Sequence, residues 1–357
     1  MASGSISLKI PACGLQLLNQ IPIFHVSVNF IKSRNKLRLD ATRRRVFNVA
    51  MTNAVRVHVN LSKIRAAALE IDRKTRVDVL AVIKADAYGL GAHEVAGAIA
   101  DVVHGFCFFS LNEAIAANLD AKSRKPSILL GPPGSMVAQD YLSLNLRPSV
   151  STVEQARALR KTNPILCVDA GMQRFACPPS QIDQVIAAAD CKEAFAHAPT
   201  MEHVRNFKEI TAGRGLKIHA AASSLLDEKD AWLDAVRPGL ALYRDAIHVS
   251  TNLVEIHDAH GPAGYTNFTV PRFGVILCGY SNGLRKGPCL INGQTRRVLE
   301  VGMQSAFVEI GEKERVGDEV TLLGNALAPE TIAKEWNCTP HEVIVRLSSS
   351  GVRSYIN

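Results

Sequence analysis

A lysine closes a mostly apolar run, and a tyrosine follows it four positions later. The run is 77–83, the pair is Lys84 and Tyr88, and Gly89-Leu90-Gly91 comes next. An amine at the end of a buried strand loses hydration, which disfavours its charged form and lowers its pKa. Such an amine is a nucleophile towards a carbonyl, the chemistry of a Schiff-base lysine. The competing reading is a strand-end lysine whose head snorkels to water. Other polar groups recur after apolar runs: Asp169-Ala170-Gly171-Met172-Gln173-Arg174, then His197, then His219 with Ser223, then Arg237-Pro238-Gly239-Leu240.

The elements that must position these groups alternate in type. Short apolar runs at 78–85, 105–110, 126–130, 147–150, 164–169, 194–198, 216–222 and 235–236 read as strands. Helix-like stretches at 92–102, 112–121, 152–161, 179–189 and 201–212 lie between them. Ser151 or Thr152 ahead of Glu154, and Ser180 ahead of Asp183, read as helix caps. Continuous apolar strands alternating with helices imply a parallel sheet covered by helices. Eight such strands predict a tightly trimmed (β/α)8 barrel, with an open doubly wound sheet as the alternative. In a barrel the five polar clusters would converge on the carboxyl face of the strands.

Beyond about residue 245 the texture changes to short Val/Ile/Leu runs punctuated by glycines, which predicts a mostly β second domain. The expected boundaries are 54–245 for the barrel and 246–357 for the β domain. The alternating segment 55–59 precedes the first barrel strand and has no place in the ring, so it is expected to pair with the second domain.

Charge is unevenly placed. Residues 1–50 hold eight Lys/Arg and one acid, Asp40, while the remainder holds 33 Lys/Arg against 32 Asp/Glu. The net charge of +8 is therefore no evidence for nucleic-acid binding. A basic, serine-containing head with almost no acid fits an organelle transit peptide, of chloroplast or mitochondrion; a basic extension without an address is the other reading. No run of eighteen apolar residues marks a membrane span. The eight cysteines are scattered without a C-x-x-C pair, as for reduced thiols, and no metal site is expected.

The string Ala81-Val82-Ile83-Lys84-Ala85-Asp86-Ala87-Tyr88-Gly89 closely resembles the pyridoxal-phosphate lysine motif of the alanine racemase family. Asp169 to Arg174, the segment opening at Arg237-Pro238-Gly239, and Gly279-Tyr280-Ser281-Asn282-Gly283 resemble three further family motifs. The resemblance spans roughly residues 54–357. It implies a phosphate-binding barrel followed by a β domain, and an isomerase that racemises a small amino acid, by default alanine, with serine or a broader range as the alternative. A non-catalytic pyridoxal-phosphate-binding paralogue is the reading from another class.

Carried over by motif, Lys84 would hold pyridoxal 5'-phosphate and act as one acid–base group. Tyr280 would be the other, reaching in from the partner of a homodimer. Arg237 would face the pyridine nitrogen with His219 behind it, and His197 would tune Tyr280. Tyr88, Ser223, Tyr355, Gly239 and Leu240 would contact the phosphate. Arg174 would meet the cofactor's phenolic oxygen and the substrate carboxylate, and Met303 would line the substrate site from the other subunit. Cys167 departs from the family, standing where many members have a lysine, often carbamylated, that holds the arginine. Gln304, Ala222, Asn282 and Arg244 are further departures.

Overall fold

The computed structural model describes residues 55–357; the basic head and its expected transit role lie outside the described residues. The first strand, β1 (Arg56–Asn60), buries Val57 and Val59 on one face. A helix, Leu61–Thr75, follows directly, with the Asn60 side chain accepting from the backbone of Lys63 at 2.8 Å. Its buried residues Ile64, Ala68, Ile71 and Thr75 recur at the three-and-four spacing of one helix face.

Nine parallel strands then form one sheet: β2 (Asp78–Val82), β3 (Gly105–Phe108), β4 (Ser127–Leu129), β5 (Leu146–Arg147), β6 (Ser149–Val150), β7 (Ile165–Cys167), β8 (Glu193–Phe195), β9 (Lys217–Ala222) and β10 (Ala235–Arg237). Their spatial order is β5-β4-β3-β2-β10-β9-β8-β7-β6. The two ends of that order, β5 and β6, are separated in sequence only by Pro148. Proline has no N–H to give a ladder, but its carbonyl still accepts from Ile165 at 3.0 Å. β5 and β6 thus act as one strand split at a proline, and the ring has eight members. The expected (β/α)8 barrel is the fold.

Helices Ala92–Ile99, Leu111–Ala117, Val153–Leu159, Ile182–Ala189 and Met201–Thr211 lie in the connections. Thr152 caps the third of these by accepting from Gln155 N at 3.2 Å. Ser180 caps nothing; it sits inside a one-turn 3-10 helix, Pro179–Gln181, whose entry is fixed by proline.

The rest is built on antiparallel β structure: β11 (Ile247–Asp258), β12 (Arg272–Ile276), β13 (Gly287–Ile291), β14 (Gln294–Val301), β15 (Ala306–Glu309) and β16 (Glu319–Leu323). The long β11 pairs with β16 along its first half and with β12 along its second, which closes these six strands into a ring. β1 stands outside the barrel and extends this sheet, antiparallel to β11 and parallel to β17 (Val352–Ile356). Two helices, Pro329–Trp336 and Pro340–Ser348, precede β17. Among the described residues no helix is long and apolar enough to cross a membrane.

Candidate active site

Strand β2 stops at Val82, three residues before the expected end, and Lys84 opens a turn instead of closing a strand. The four residues after it, Ala85, Asp86, Ala87 and Tyr88, all have left-handed backbone, with φ of 53, 54, 51 and 63°. Each such L-residue costs roughly 1–2 kcal/mol, so one turn of left-handed helix must be held by its surroundings. Ala87 N donates to Ile83 O at 2.9 Å, and Gly91 N donates to Asp86 O at 2.9 Å. Asp86 accepts from Ala92 N at 2.8 Å through one oxygen and from Arg353 at 2.6 Å through the other. The Tyr88 ring packs on Tyr243 and His341, at 5.0 and 5.9 Å between centroids. Tyr243 in turn donates to Val82 O at 2.8 Å.

Lys84 is half-buried at the mouth of the barrel. Its pKa lies below the ordinary lysine value, first because of burial and then because of the Arg174 guanidinium. Glu113 and Cys107 oppose the shift, and Arg237 adds to it. All four of these groups belong to the barrel.

Tyr88 turns its hydroxyl towards the loop after β10. A Cβ on Gly239 would lie 2.2 Å from that oxygen, so only glycine fits there. Burial pushes the Tyr88 hydroxyl up to about 12, so it stays a donor. Ser223 Oγ accepts from the backbone N–H groups of Gly239 and Ala241, both at 3.0 Å. Leu240, buried, opens the short helix Leu240–Tyr243. Tyr88, Ser223, Gly239 and Leu240 thus line one cradle, in which the two hydroxyls can donate and the Gly239 N–H is already met by Ser223. Tyr355 is the remaining tyrosine beside the lysine turn. Its hydroxyl lies over Gly91, bonded to Glu94 and Arg353.

Arg237 is only 4% exposed. A buried cation is costly unless its donors are met. Its Nη2 donates to the carbonyls of Ala196 and Ala220, at 2.6 and 3.1 Å, and its Nη1 to His219 Nδ1 at 3.0 Å. Its guanidinium lies over the Phe195 ring, 4.8 Å from the centroid. Nε is not among the bonded donors in the described residues. The fully buried His219 is pushed down to about 4 by burial, against the opposing bond from Glu193. Burial pushes Glu193 up, but the His219 bond and the Arg147 charge outweigh it and hold the carboxyl at about 2.

Acid should therefore destabilise this fold. Between about 6.5 and about 4, an unfolded chain protonates the imidazole while the folded chain keeps it neutral. The unfolded state then binds more protons, so stability falls as pH falls, by on the order of 3 kcal/mol near the lower end. Glu193 works in the same direction, its contribution being lost as pH drops from 4.5 towards 2. The urea midpoint should be lower at about pH 5 than at about pH 7, and equal midpoints would contradict this account.

Arg174 is exposed, and among the described residues it makes no hydrogen bond or ion pair. It stands between two left-handed residues, Gln173 and Phe175, both at φ 54°. The Asp169 carboxylate ties down the start of this loop, accepting from Gly171 N and Gln173 N, both at 2.9 Å. Cys167 is buried and its thiol is pushed up to about 12 by burial, so it stays neutral and offers Arg174 no anion. His197, at the end of β8, is drawn down to about 4, first by the water lost within the mouth and then by Arg237 and Arg174. The residue is also exposed, so its contribution to the acid argument runs in the same direction as that of His219 but is screened by solvent.

Tyr280 and Met303 lie together on the β domain. Tyr280 N donates to Gly302 O at 2.9 Å, and Ser281 N and Oγ donate to Met303 O at 3.0 and 2.6 Å. A Cβ on Gly279 would lie 2.3 Å from the Met303 carbonyl oxygen. Asn282 accepts from Gly279 N at 3.1 Å, so this departure from the family pattern caps its own turn. Tyr280 is 57% and Met303 62% exposed.

The description "Alanine racemase, N-terminal domain" matches residues 59–246, and "Alanine racemase, C-terminal domain" matches 259–355. The chain belongs to the alanine racemase family. That family is one of isomerases. The alanine racemase of Pectobacterium atrosepticum is 29% identical over 364 residues, covering 86% of this chain and 98% of its own. That of Photobacterium profundum is 25% identical over 332 residues, covering 78% of this chain and 92% of its own. In fold, the alanine racemase of Streptomyces coelicolor superposes with a TM-score of 0.77, at 22% identity, over 87% of this chain and all of its own. The Bartonella henselae alanine racemase, described with covalently bound pyridoxal phosphate, does so with 0.74, at 22% identity, over 85% and 99%.

Against this alanine racemase frame, motif reading found the mouth of the barrel but missed what surrounds it. Glu193, Arg147, His341 and Arg353, the partner of Asp86, lie outside the motifs quoted above. Each acts through a partner far away in the sequence.

Proposed function

We propose that this chain racemises a small amino acid, alanine first, with pyridoxal phosphate carried on Lys84. The observation that carries the reading is the juxtaposition of a half-buried amine of lowered pKa with a donor cradle at Gly239 and Ser223 and a buried guanidinium at Arg237. The fit is specific in shape, because a side chain at 239 would occupy the space of the Tyr88 hydroxyl. The covalent cofactor described for the Bartonella henselae relative supports the same assignment.

When bound, pyridoxal phosphate supplies an electron-withdrawing ring that acidifies the Cα–H of an attached amino acid. The chain's own residues do the rest. Tyr88, Ser223 and the backbone at Gly239 and Leu240 would hold the phosphate with neutral donors, the Gly239 N–H turning from Ser223 Oγ to do so. Arg237 keeps its proton at any ordinary pH, so it can only donate to the ring nitrogen and cannot protonate it fully. Arg174, without a protein partner among the described residues, would hold the cofactor's phenolic oxygen and the substrate carboxylate. Lys84 takes or returns the Cα proton on one face. Tyr280 does so on the opposite face, which inversion requires, and His197 sits in the mouth where that hydroxyl would arrive.

Tyr280 and Met303 are exposed on the β domain of their own chain, which supports a homodimer in which each copy completes the other's site. The basic composition of residues 1–50 supports an organelle leader role for the head, separate from turnover. The test is chiral analysis of the full chain incubated with pyridoxal phosphate and L-alanine or, separately, L-serine. D-alanine in excess supports the reading, D-serine in excess changes the substrate, and no D-product from either rejects it.

A further inference from the structure

A polar file crosses the barrel behind the site, from β5 to β10. Arg147 Nη1 donates to Glu193 Oε2 at 2.6 Å, while Arg147 Nε donates to the Asn163 carbonyl at 2.9 Å. Glu193 Oε1 lies 3.0 Å from His219 Nε2, and His219 Nδ1 lies 3.0 Å from Arg237 Nη1. The two ends of the imidazole therefore face opposite kinds of partner. A guanidinium only donates, so Nδ1 must accept. An ionised carboxylate only accepts, so Nε2 must carry the proton. One neutral tautomer satisfies both contacts. The other tautomer would set an N–H against Arg237 and a lone pair against Glu193, inside a barrel where unmet polar groups are expensive. Phe195 fixes the plane: its ring is stacked with that of His219, at 5.9 Å and 8°, and also lies beneath Arg237.

We propose that Glu193, anchored by Arg147, is a positioning residue that sets the tautomer of His219 and, through it, the orientation of Arg237. The idea rests on the reading that Arg237 faces the cofactor ring. It adds two residues, on β5 and β8, that touch neither cofactor nor substrate. Around metal-ligating histidines, outer partners of this kind commonly change affinity by about tenfold or more when removed, and the same order is expected here.

The test uses the full chain with nitrogen-15-labelled histidine, with and without pyridoxal phosphate. Side-chain nitrogen–proton correlation spectra assign the His219 tautomer. The expected wild-type result near neutral pH is a protonated Nε2 and a bare Nδ1 in both states. Glu193→Gln keeps the shape but can donate to Nε2. It should populate the second tautomer, shift the visible absorption band of the bound cofactor, and weaken pyridoxal phosphate binding roughly tenfold. Arg147→Lys keeps a cation on Glu193 and should retain the wild-type tautomer. A wild-type His219 protonated on Nδ1 would overturn the proposal without any variant having to fold. So would a Glu193→Gln protein with unchanged tautomer, band and affinity. The tautomer is read without turnover. An inactive chain with the expected tautomer would thus support the file and count against the racemase reading.

Discussion

Lys84→Ala should abolish formation of D-amino acid, by roughly a thousandfold or more, while leaving the fold intact. Two roles rest on this one amine, covalent attachment of the cofactor and proton transfer at one face, and proton transfer by a positioned group alone is commonly worth 10²–10⁴-fold, as an order of magnitude. Lys84 is suited to both because burial and the Arg174 guanidinium disfavour its ammonium form. More of the amine is then neutral near neutrality than an exposed lysine would supply. Cofactor capture by the apoprotein should accordingly rise with pH and level off below the 10.5 of an ordinary lysine. Lys84→Arg preserves the cation but not the chemistry, because a guanidinium does not deprotonate. Chiral chromatography and the absorption band of bound cofactor read the two roles separately. An alanine variant with a tenth of normal turnover would remove Lys84 from the mechanism.

The barrel was legible in the sequence because its strands are buried on both sides and read as continuous apolar runs. The runs at 105–110 and 164–169 contain the observed strands Gly105–Phe108 and Ile165–Cys167. The lysine turn was not legible. Alanine and tyrosine disfavour positive φ, aspartate visits it only as a single residue, and the run at 78–85 read as strand to its end. What holds the turn is tertiary: Arg353 from the last strand on Asp86, and His341 from the last helix on Tyr88. The same limit hid Glu193. Its partners, Arg147 and His219, stand 46 and 26 residues away, the second on the adjoining strand β9 and the first on β5, which is not paired with β8 at all. Motif reading recovers residues that meet ligands. It is blind to residues that meet those residues, because their partners are chosen by strand order and not by spacing.

Strand order also places Tyr280 and Lys84 in different bodies of the molecule, and this sets the second large effect. Tyr280→Phe deletes one hydroxyl from an exposed ring. The segment around it is built by backbone bonds to Gly302 and Met303 and by the Asn282 cap, none of which uses that hydroxyl. Folding and cofactor binding should therefore be unchanged. Racemisation should fall by about 10²–10⁴-fold, the range expected for loss of one acid–base group. If the two faces of Cα are served by different subunits, the two inactive variants should rescue each other. In a mixed dimer of Lys84→Ala and Tyr280→Phe chains, one site pairs the intact Lys84 with the intact Tyr280 and the other has neither. Each mixed dimer of a two-fold pair has one complete site of its two, so about half of wild-type activity per dimer should return. Co-expression with two affinity tags, followed by chiral assay of the doubly purified species, measures this. A mixed dimer without activity would show that both groups must come from one chain. The exposed face bearing Tyr280 and Met303 would then have to close on its own barrel.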